Sequence, residues 1–202
     1  MTFNDVGLSD DGFNIIEGVS SNVVWKEVNY YEWSECTLEV IFAPDRTYEN
    51  EENDWYDIFG SVYAYNTIAY NGYSDKLAYR LINNDSTQII QECDLPLEKD
   101  VYIHIIATFN SNTFEQKLYC NGELKSNGTT NTHIKNINRE QIVGRHVGGT
   151  YKRASIYNRA LTAQEVADRY NQSTFLFLND TPTPTQQAYL DWQDSRIIGR
   201  SR

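Results

Sequence analysis

Two carboxylates alternate at Glu92 and Asp94, within the run Gln91-Glu-Cys-Asp-Leu-Pro96. Alternate residues of a strand share a face about 6.6–6.8 Å apart. A retaining glycosidase needs its two carboxyl groups about 5–5.5 Å apart, flanking one anomeric carbon. The spacing therefore suits acid–base chemistry on a sugar, but Leu95-Pro96-Leu97 follows and no third acid extends the series.

A metal is the next chemistry to weigh. His104, His133 and His146 are scattered, and none stands at i, i+4 from another or beside a cysteine, so zinc is disfavoured. Calcium takes six to eight oxygens, and the stretch Asp45 to Asp57, DRTYENEENDWYD, offers Asp45, Glu52, Asp54 and Asp57 as ligands. A solvated acidic loop is the alternative for such a charge run. Cys36, Cys93 and Cys120 are odd in number and lack CxxC spacing. They make neither a disulfide framework nor a zinc site, and are expected to be buried thiols acting as small hydrophobes.

Aromatic side chains form the third group. Sugars present apolar C–H faces that dock on rings, while amides and carboxylates fix the hydroxyls. Trp55, Tyr56, Tyr63, Tyr65, Tyr70 and Tyr73 lie close together in sequence, with Asn66 and Asn71 among them. Strand parity puts Tyr63 and Tyr65 on one face, with the small Val62 and Ala64 opposite. That pair is expected to be buried rather than to line a sugar site. The turn Asn71-Gly72 sets Tyr70 and Tyr73 on flanking strands.

The bulk composition narrows the setting. The chain has 202 residues, 40% of them apolar and 13% aromatic, with 15 Tyr. This fits one domain with an appendage, rich in strands. A net charge of -11 argues against a phosphate-backbone partner. No apolar window of about 18 residues exists to span a bilayer. The opening MTFNDVGLSDDGFNII has neither a basic start nor an apolar core, so no secretory routing is expected.

Short alternating runs must position these side chains. Cys36, Leu38, Val40 and Phe42 fall on one face of a strand, with Thr37 and Glu39 on the other, and Pro44-Asp45 stops it. Val101 to Ala107 alternates similarly. Gln116 to Cys120 runs into Asn121-Gly122, a hairpin signal because both turn positions need φ > 0, and Glu123-Leu124-Lys125 returns. Strands without intervening amphipathic helices predict an antiparallel sandwich or barrel. Thr162-Ala-Gln-Glu165 is a capping box, with Leu161 and Val166 as its staple, and predicts a helix to about Tyr170 or Gln172.

Four pieces, in order, resemble laminin-G-like, concanavalin A-like lectin domains. They are Ser34-Glu-Cys-Thr-Leu-Glu-Val-Ile-Phe-Ala-Pro44, Ile103-His-Ile-Ile-Ala-Thr-Phe109, Leu118-Tyr-Cys-Asn-Gly122-Glu-Leu, and Gly149 to Val166 with its YNRAL turn. The resemblance covers roughly residues 10–172 and implies an all-β fold, a jelly-roll sandwich of two antiparallel sheets with one short C-terminal helix. It also implies carbohydrate binding as the commonest role. Enzymes of that fold carry a third carboxylate beyond a pair like Glu92 and Asp94, which is missing here. Where many members place outward acids in the last strand, this chain has Lys152 and Arg153.

Beyond a lectin-like domain over residues 1–180, the segment 181–202 reads as a docking arm. Thr181-Pro-Thr-Pro-Thr185 is a stiff, extended linker. Tyr189, Leu190, Trp192, Ile197, Ile198 and Arg200 follow, too few apolar residues for a core of their own. Members of this family also occur in bacteriophage structural proteins. The resemblance thus implies a virion component, on capsid or tail fibre, held by other structural proteins or further copies of itself and open to glycan contact. A free extracellular or cell-surface carbohydrate-binding module is the alternative.

Overall fold

The computed structural model describes residues 23–29, 34–49, 54–61, 66–82, 86–130, 138–145 and 147–177. Tyr63, Tyr65, Glu52 and the arm residues Tyr189, Leu190, Trp192, Ile197, Ile198 and Arg200 lie outside them. Among the described residues, one sheet contains β1 (Val23–Asn29), β3 (Trp55–Ser61), β4 (Asn66–Asn71), β5 (Lys76–Ile82), β6 (Gln88–Cys93) and β10 (Asn138–Arg145). The second contains β2 (Glu35–Pro44), β7 (Ile103–Asn110), β8 (Glu115–Cys120), β9 (Glu123–Thr129) and β11 (Gly149–Tyr157). Helix α1 (Ala163–Phe177) follows.

Strand order is β1-β10-β3-β4-β5-β6 in the first sheet and β11-β2-β7-β8-β9 in the second. All neighbouring pairs are antiparallel. The expected sandwich is therefore present, and its interior is what the alternation predicts. Leu38, Val40 and Phe42 of β2 and Ile105, Ala107 and Phe109 of β7 face Ile68, Tyr70, Leu77, Tyr79 and Leu81 of the other sheet. The turn Asn121-Gly122 joins β8 to β9 with φ of 50° and 79°. Asn121 is further fixed by two bonds to the His104 backbone, donating N–H to its carbonyl and accepting its N–H on Oδ1.

The second sheet packs its inner face into the core and part of its outer face under the helix segment, while β9 stays largely exposed. Ile106, Tyr119 and Tyr157 on its outer face pack with Leu161 and Val166 of the segment that starts the helix. Glu165 accepts the Thr162 N–H at 2.8 Å, and Thr162 Oγ1 accepts the Glu165 N–H at 3.3 Å, so the capping box is formed. The helix runs to Phe177, beyond the expected end at Gln172. Ser173 and Thr174 explain the extension, since their hydroxyls bond back to the carbonyls of Tyr170 and Asn171 and stay within the helix.

Beneath the helix lies a carboxylate that the alternation assigns to a polar face. Glu39 is 0% exposed. Its Oε1 accepts from His104 Nε2 at 2.9 Å and Arg153 Nη1 at 3.4 Å. Its Oε2 accepts from Tyr157 Oη at 2.5 Å and Arg169 Nη1 at 3.1 Å. Burial alone would raise the carboxyl, but the His104 hydrogen bond and the Arg153 and Arg169 charges outweigh it and hold it at about 2. Burial and the Glu39 charge push Tyr157 upward.

Two outcomes follow for stability. Glu39→Gln strands the Arg153 and Arg169 guanidinium groups without their counter-charge, at a cost of about 3–5 kcal/mol in chemical denaturation. The folded Glu39 value lies below its unfolded one, so this contribution is full above the unfolded value and fades as pH falls towards 2. Between about pH 5 and pH 2 the wild type should lose roughly 3 kcal/mol that the Gln variant does not; parallel pH profiles would refute the assignment. Gly122→Ala puts a Cβ 2.9 Å from the Tyr170 ring at a positive φ, and thermal denaturation should register a loss of about 2 kcal/mol.

Candidate functional site

Register decides which side chains stand on the outer face of the first sheet, where Asp57, Thr67, Asn71 and Arg80 are all buried. Tyr56 pairs with Tyr70, and Phe59 with Ile68, on the core side. An irregularity between Asp57 and Phe59 inserts Ile58, so Asp57 pairs with Ala69 on the outer side. Trp55 opposes Asn71, and across the next pairs Ala78 opposes Ala69 and Glu92 opposes Ala78. Trp55, Asp57, Asn71, Arg80 and Glu92 thus share one face.

Arg80 crosses this face lengthwise. Its position is level with Thr67, yet its guanidinium carbon lies 3.8 Å from the centre of the Trp55 ring. The alanines at 69 and 78, both fully buried, keep the floor low along that line. Arg80 Nη1 stands 3.7 Å from Asp57 Oδ1, and Arg145 Nη1 stands 3.9 Å from Asp57 Oδ2. Burial draws Arg80 below its ordinary value, with the Asp57 charge opposing. Its Nε is buried without a hydrogen-bond partner.

Towards the β4–β5 turn the face opens. Asn71 Nδ2 donates to Glu92 Oε1, and Ser74 Oγ donates to the same oxygen at 3.0 Å. Asn71 Oδ1 accepts the Tyr73 N–H at 3.0 Å, shaping the turn that presents Tyr73. Tyr73 is 62% exposed. Beyond the turn, Lys76 pairs with Asp94 at 3.3 Å. A cavity of about 210 Å³ lies there, lined by Tyr48, Glu49, Tyr70, Asp75, Asp94, Leu95 and Pro96.

The sequence-based candidates separate accordingly. Trp55 and Asn71 stand opposite each other on the outer face, whereas Tyr73, expected on a flanking strand, lies in the β4–β5 turn. Tyr56, Tyr70 and Asn66 do not join them. Tyr70 is 1% exposed and edge-on to Tyr48 at 5.8 Å, Tyr56 packs against the same core, and Asn66 is 1% exposed with its Nδ2 on Cys36 Sγ. Sequence proximity had grouped them, whereas the pleat sends alternate residues to opposite faces.

The proposed calcium ligands also part. Asp57 is drawn into the sheet face between two arginines, Asp54 accepts the Trp55 N–H at 2.7 Å, and Asp45 lies against Gly148, donating its N–H to that carbonyl. Among the described residues no three His, Cys, Asp or Glu side chains converge as a metal site. Arg80 and Glu92 escaped the aromatic-cluster reading, because only strand register brings them beside Trp55 and Asn71, and Ser74 joins them from the turn. No helix of the described residues is long and apolar enough to cross a membrane.

Solved structures share this architecture. The binding domain of Paraclostridial Mosquitocidal Protein 1 matches with a TM-score of 0.61 at 16% identity, over 83% of this chain and 51% of that one. The chain thus spans about half the length of that relative. The CBM40 of the Ruminococcus gnavus IT-sialidase, solved with α2,3 sialyllactose, matches with a TM-score of 0.54 at 14% identity, over 79% and 96% of the two chains. The binding domain of botulinum neurotoxin serotype D matches with a TM-score of 0.56 at 11% identity, over 80% and 42%. At these identities the likeness is one of fold. No curated protein matches at the level of sequence. The family model does: residues 18–167 fit it throughout, and with its two-sheet sandwich the chain belongs to the concanavalin A-like lectin/glucanases superfamily.

Proposed function

We propose that the chain is a non-enzymatic carbohydrate-binding module whose site is the Trp55–Asn71–Tyr73–Glu92 end of the outer sheet face. The observation that carries this reading is Tyr73, exposed in the turn whose Asn71 amide and Ser74 hydroxyl are ordered on the Glu92 carboxylate. A ring supplies the platform for a sugar face, and the fixed polar atoms supply the hydroxyl contacts without a large ordering cost. Lys76 with Asp94, and Arg80 and Arg145 with Asp57, offset one another locally. Recognition through ring faces and hydroxyls, of a neutral sugar, suits that balance. The solved structures of this fold include a CBM40 with bound sialyllactose and the binding domains of two toxins, which supports the same reading.

Binding rather than hydrolysis is supported by the state of the carboxylates. Glu92 Oε1 is held by two donors, Asp57 faces two arginines, and Asp94 stands past the end of β6 with its side chain 88% exposed.

The wider proposal places this module on a virion or similar particle, attached through residues 181–202 to other structural proteins. The family resemblance and the Pro-spaced arm support it. Deletion of 181–202 should abolish incorporation into particles while leaving glycan binding intact; retained incorporation would sink the arm.

For the site itself, a glycan array on the wild type should yield a neutral ligand. Tyr73→Ala and Glu92→Gln should each weaken it by about tenfold or more, equivalent to about 1.4 kcal/mol, with unchanged Tm and without release of cleaved sugar. Trp55→Ala should cost binding and also about 1 kcal/mol of stability, since Arg80 loses its platform. Undiminished binding in both Tyr73→Ala and Glu92→Gln would move the site elsewhere.

A further inference from the structure

Two of the three cysteines, which their spacing leaves unconnected, meet in the core. Cys93 ends β6 and Cys120 ends β8, on opposite sheets, and their Sγ atoms lie 3.9 Å apart. Facing sheets ordinarily stand about 10 Å apart, beyond the Cα separation of about 4.4–6.8 Å that a disulfide spans. This edge of the sandwich is drawn in. Cα atoms of β6 come within 8 Å of β8 and of β9. Ser126 Oγ donates to Gln91 Oε1 at 3.1 Å, joining β9 to β6. Gly128 makes the room, because a Cβ there would lie 2.3 Å from Gln91 Nε2.

We propose that Cys93 and Cys120 are a redox-active pair that closes a disulfide between the two sheets when the protein meets hydrogen peroxide. Closure needs about 2 Å of approach between the sulfurs, which side-chain rotation at an already pinched edge can supply. The two thiols are not equivalent. Cys93 is 8% exposed and Cys120 is 0% exposed. Their mutual hydrogen bond lowers Cys93 and, together with burial, raises Cys120. Cys93 is therefore the attacking thiolate and Cys120 the resolving thiol.

The Cys93 sulfur attacks the peroxide, an S–O bond forms as the O–O bond breaks, and the released hydroxide takes up a proton as water. Cys120 then attacks that sulfur: the S–S bond forms, the S–O bond breaks, and the leaving hydroxyl departs with the thiol proton as a second water. The sulfurs give up two electrons together and the peroxide receives them. Cys36 takes no part. It is 0% exposed, and burial pushes its thiol up to about 11.

The pair also bears on the outer face, because Glu92 precedes Cys93 on β6. A closed disulfide fixes the strand end that presents Glu92.

The test uses the reduced full chain, exposed to hydrogen peroxide under native conditions, then denatured in iodoacetamide and analysed by mass without reduction. The expected product has lost two hydrogens, takes up the alkylating group at Cys36 alone, and yields a linked peptide pair containing Cys93 and Cys120. Its Tm should rise by roughly 5–10 °C and return on treatment with dithiothreitol. Cys36→Ser should behave as wild type, and Cys93→Ser should lose the rise. Alkylation at all three cysteines after peroxide, oxygen adducts without linkage, or links only between chains would each overturn the pairing. The mass result is obtained on unmutated protein, so it stands whether or not a variant folds.

Discussion

Glu39 is the point on which the second sheet and its helix depend. A buried carboxylate is costly unless its lone pairs are used, and here four donors from three elements converge on it: His104 of β7, Arg153 and Tyr157 of β11, and Arg169 of α1. Each donor is satisfied only if β7, β11 and the helix hold their places around β2. Arg169 lies over the Tyr157 ring at 4.5 Å as well, so charge and ring contact act along the same line. Apolar contacts among Ile106, Tyr119, Leu161 and Val166 attract the helix without fixing its azimuth. The ion cluster does fix it, and this is the work a buried polar group can do in place of adding stability.

The helix covers only part of its sheet: Ile106, Tyr119 and Tyr157 lie under it with Leu161 and Val166, whereas β9 is largely exposed. The outer side of the first sheet carries a polar arrangement of its own. There the design rests on small residues. Ala69 and Ala78 leave a low floor, Arg80 lies along it to reach Trp55, and Asp57 is turned outward by one inserted residue, Ile58. A larger side chain at 69 or 78 would stand in the path of the guanidinium. The polar end at Asn71, Ser74 and Glu92 is preorganised by its own hydrogen bonds, which is how a shallow face can bind without a deep pocket.

What was legible in the sequence was local and periodic. The alternation from Cys36 to Phe42 gave the core face of β2, Asn121-Gly122 gave the hairpin, and Thr162 with Glu165 gave the helix start. Each rests on residues within a few positions of one another. What was not legible depended on pairing at a distance. Glu39 alternates as a solvent residue, and groups from β7, β11 and α1, 65 to 130 positions away, close over it. Tyr70 and Tyr73 looked like one cluster, but Tyr70 is buried in the core and Tyr73 is exposed in the turn. Asp57 looked like a loop acid because nothing local announces the irregularity beside it. Glu92 signalled only as one of an acid pair with Asp94, and Arg80, although it follows Tyr79, showed no link to Trp55, because strand register alone brings both to this face. The capped helix outran its expected end for a related reason, as the hydroxyls of Ser173 and Thr174 chose the helix carbonyls over a turn.

The pinched edge shows how the two sheets' separate duties are tied together. A sandwich is weakest where its terminal strands meet solvent, because edge strands lack a partner on one side. β6 and β9 are such strands, and they are drawn inward by Gln91 on Ser126, by the missing side chain at Gly128 and by the Cys93–Cys120 contact. Gln116 Nε2, donating to the Tyr79 carbonyl at 3.0 Å, extends the same seam one strand inward, from β8 to β5. Glu92 stands on β6 at the margin of this seam. Its position relative to Asn71 and Ser74 is therefore set from below as much as from its own face. A binding surface at the edge of a sheet keeps its geometry only as well as that edge is held, and here polar and sulfur contacts through the core hold it.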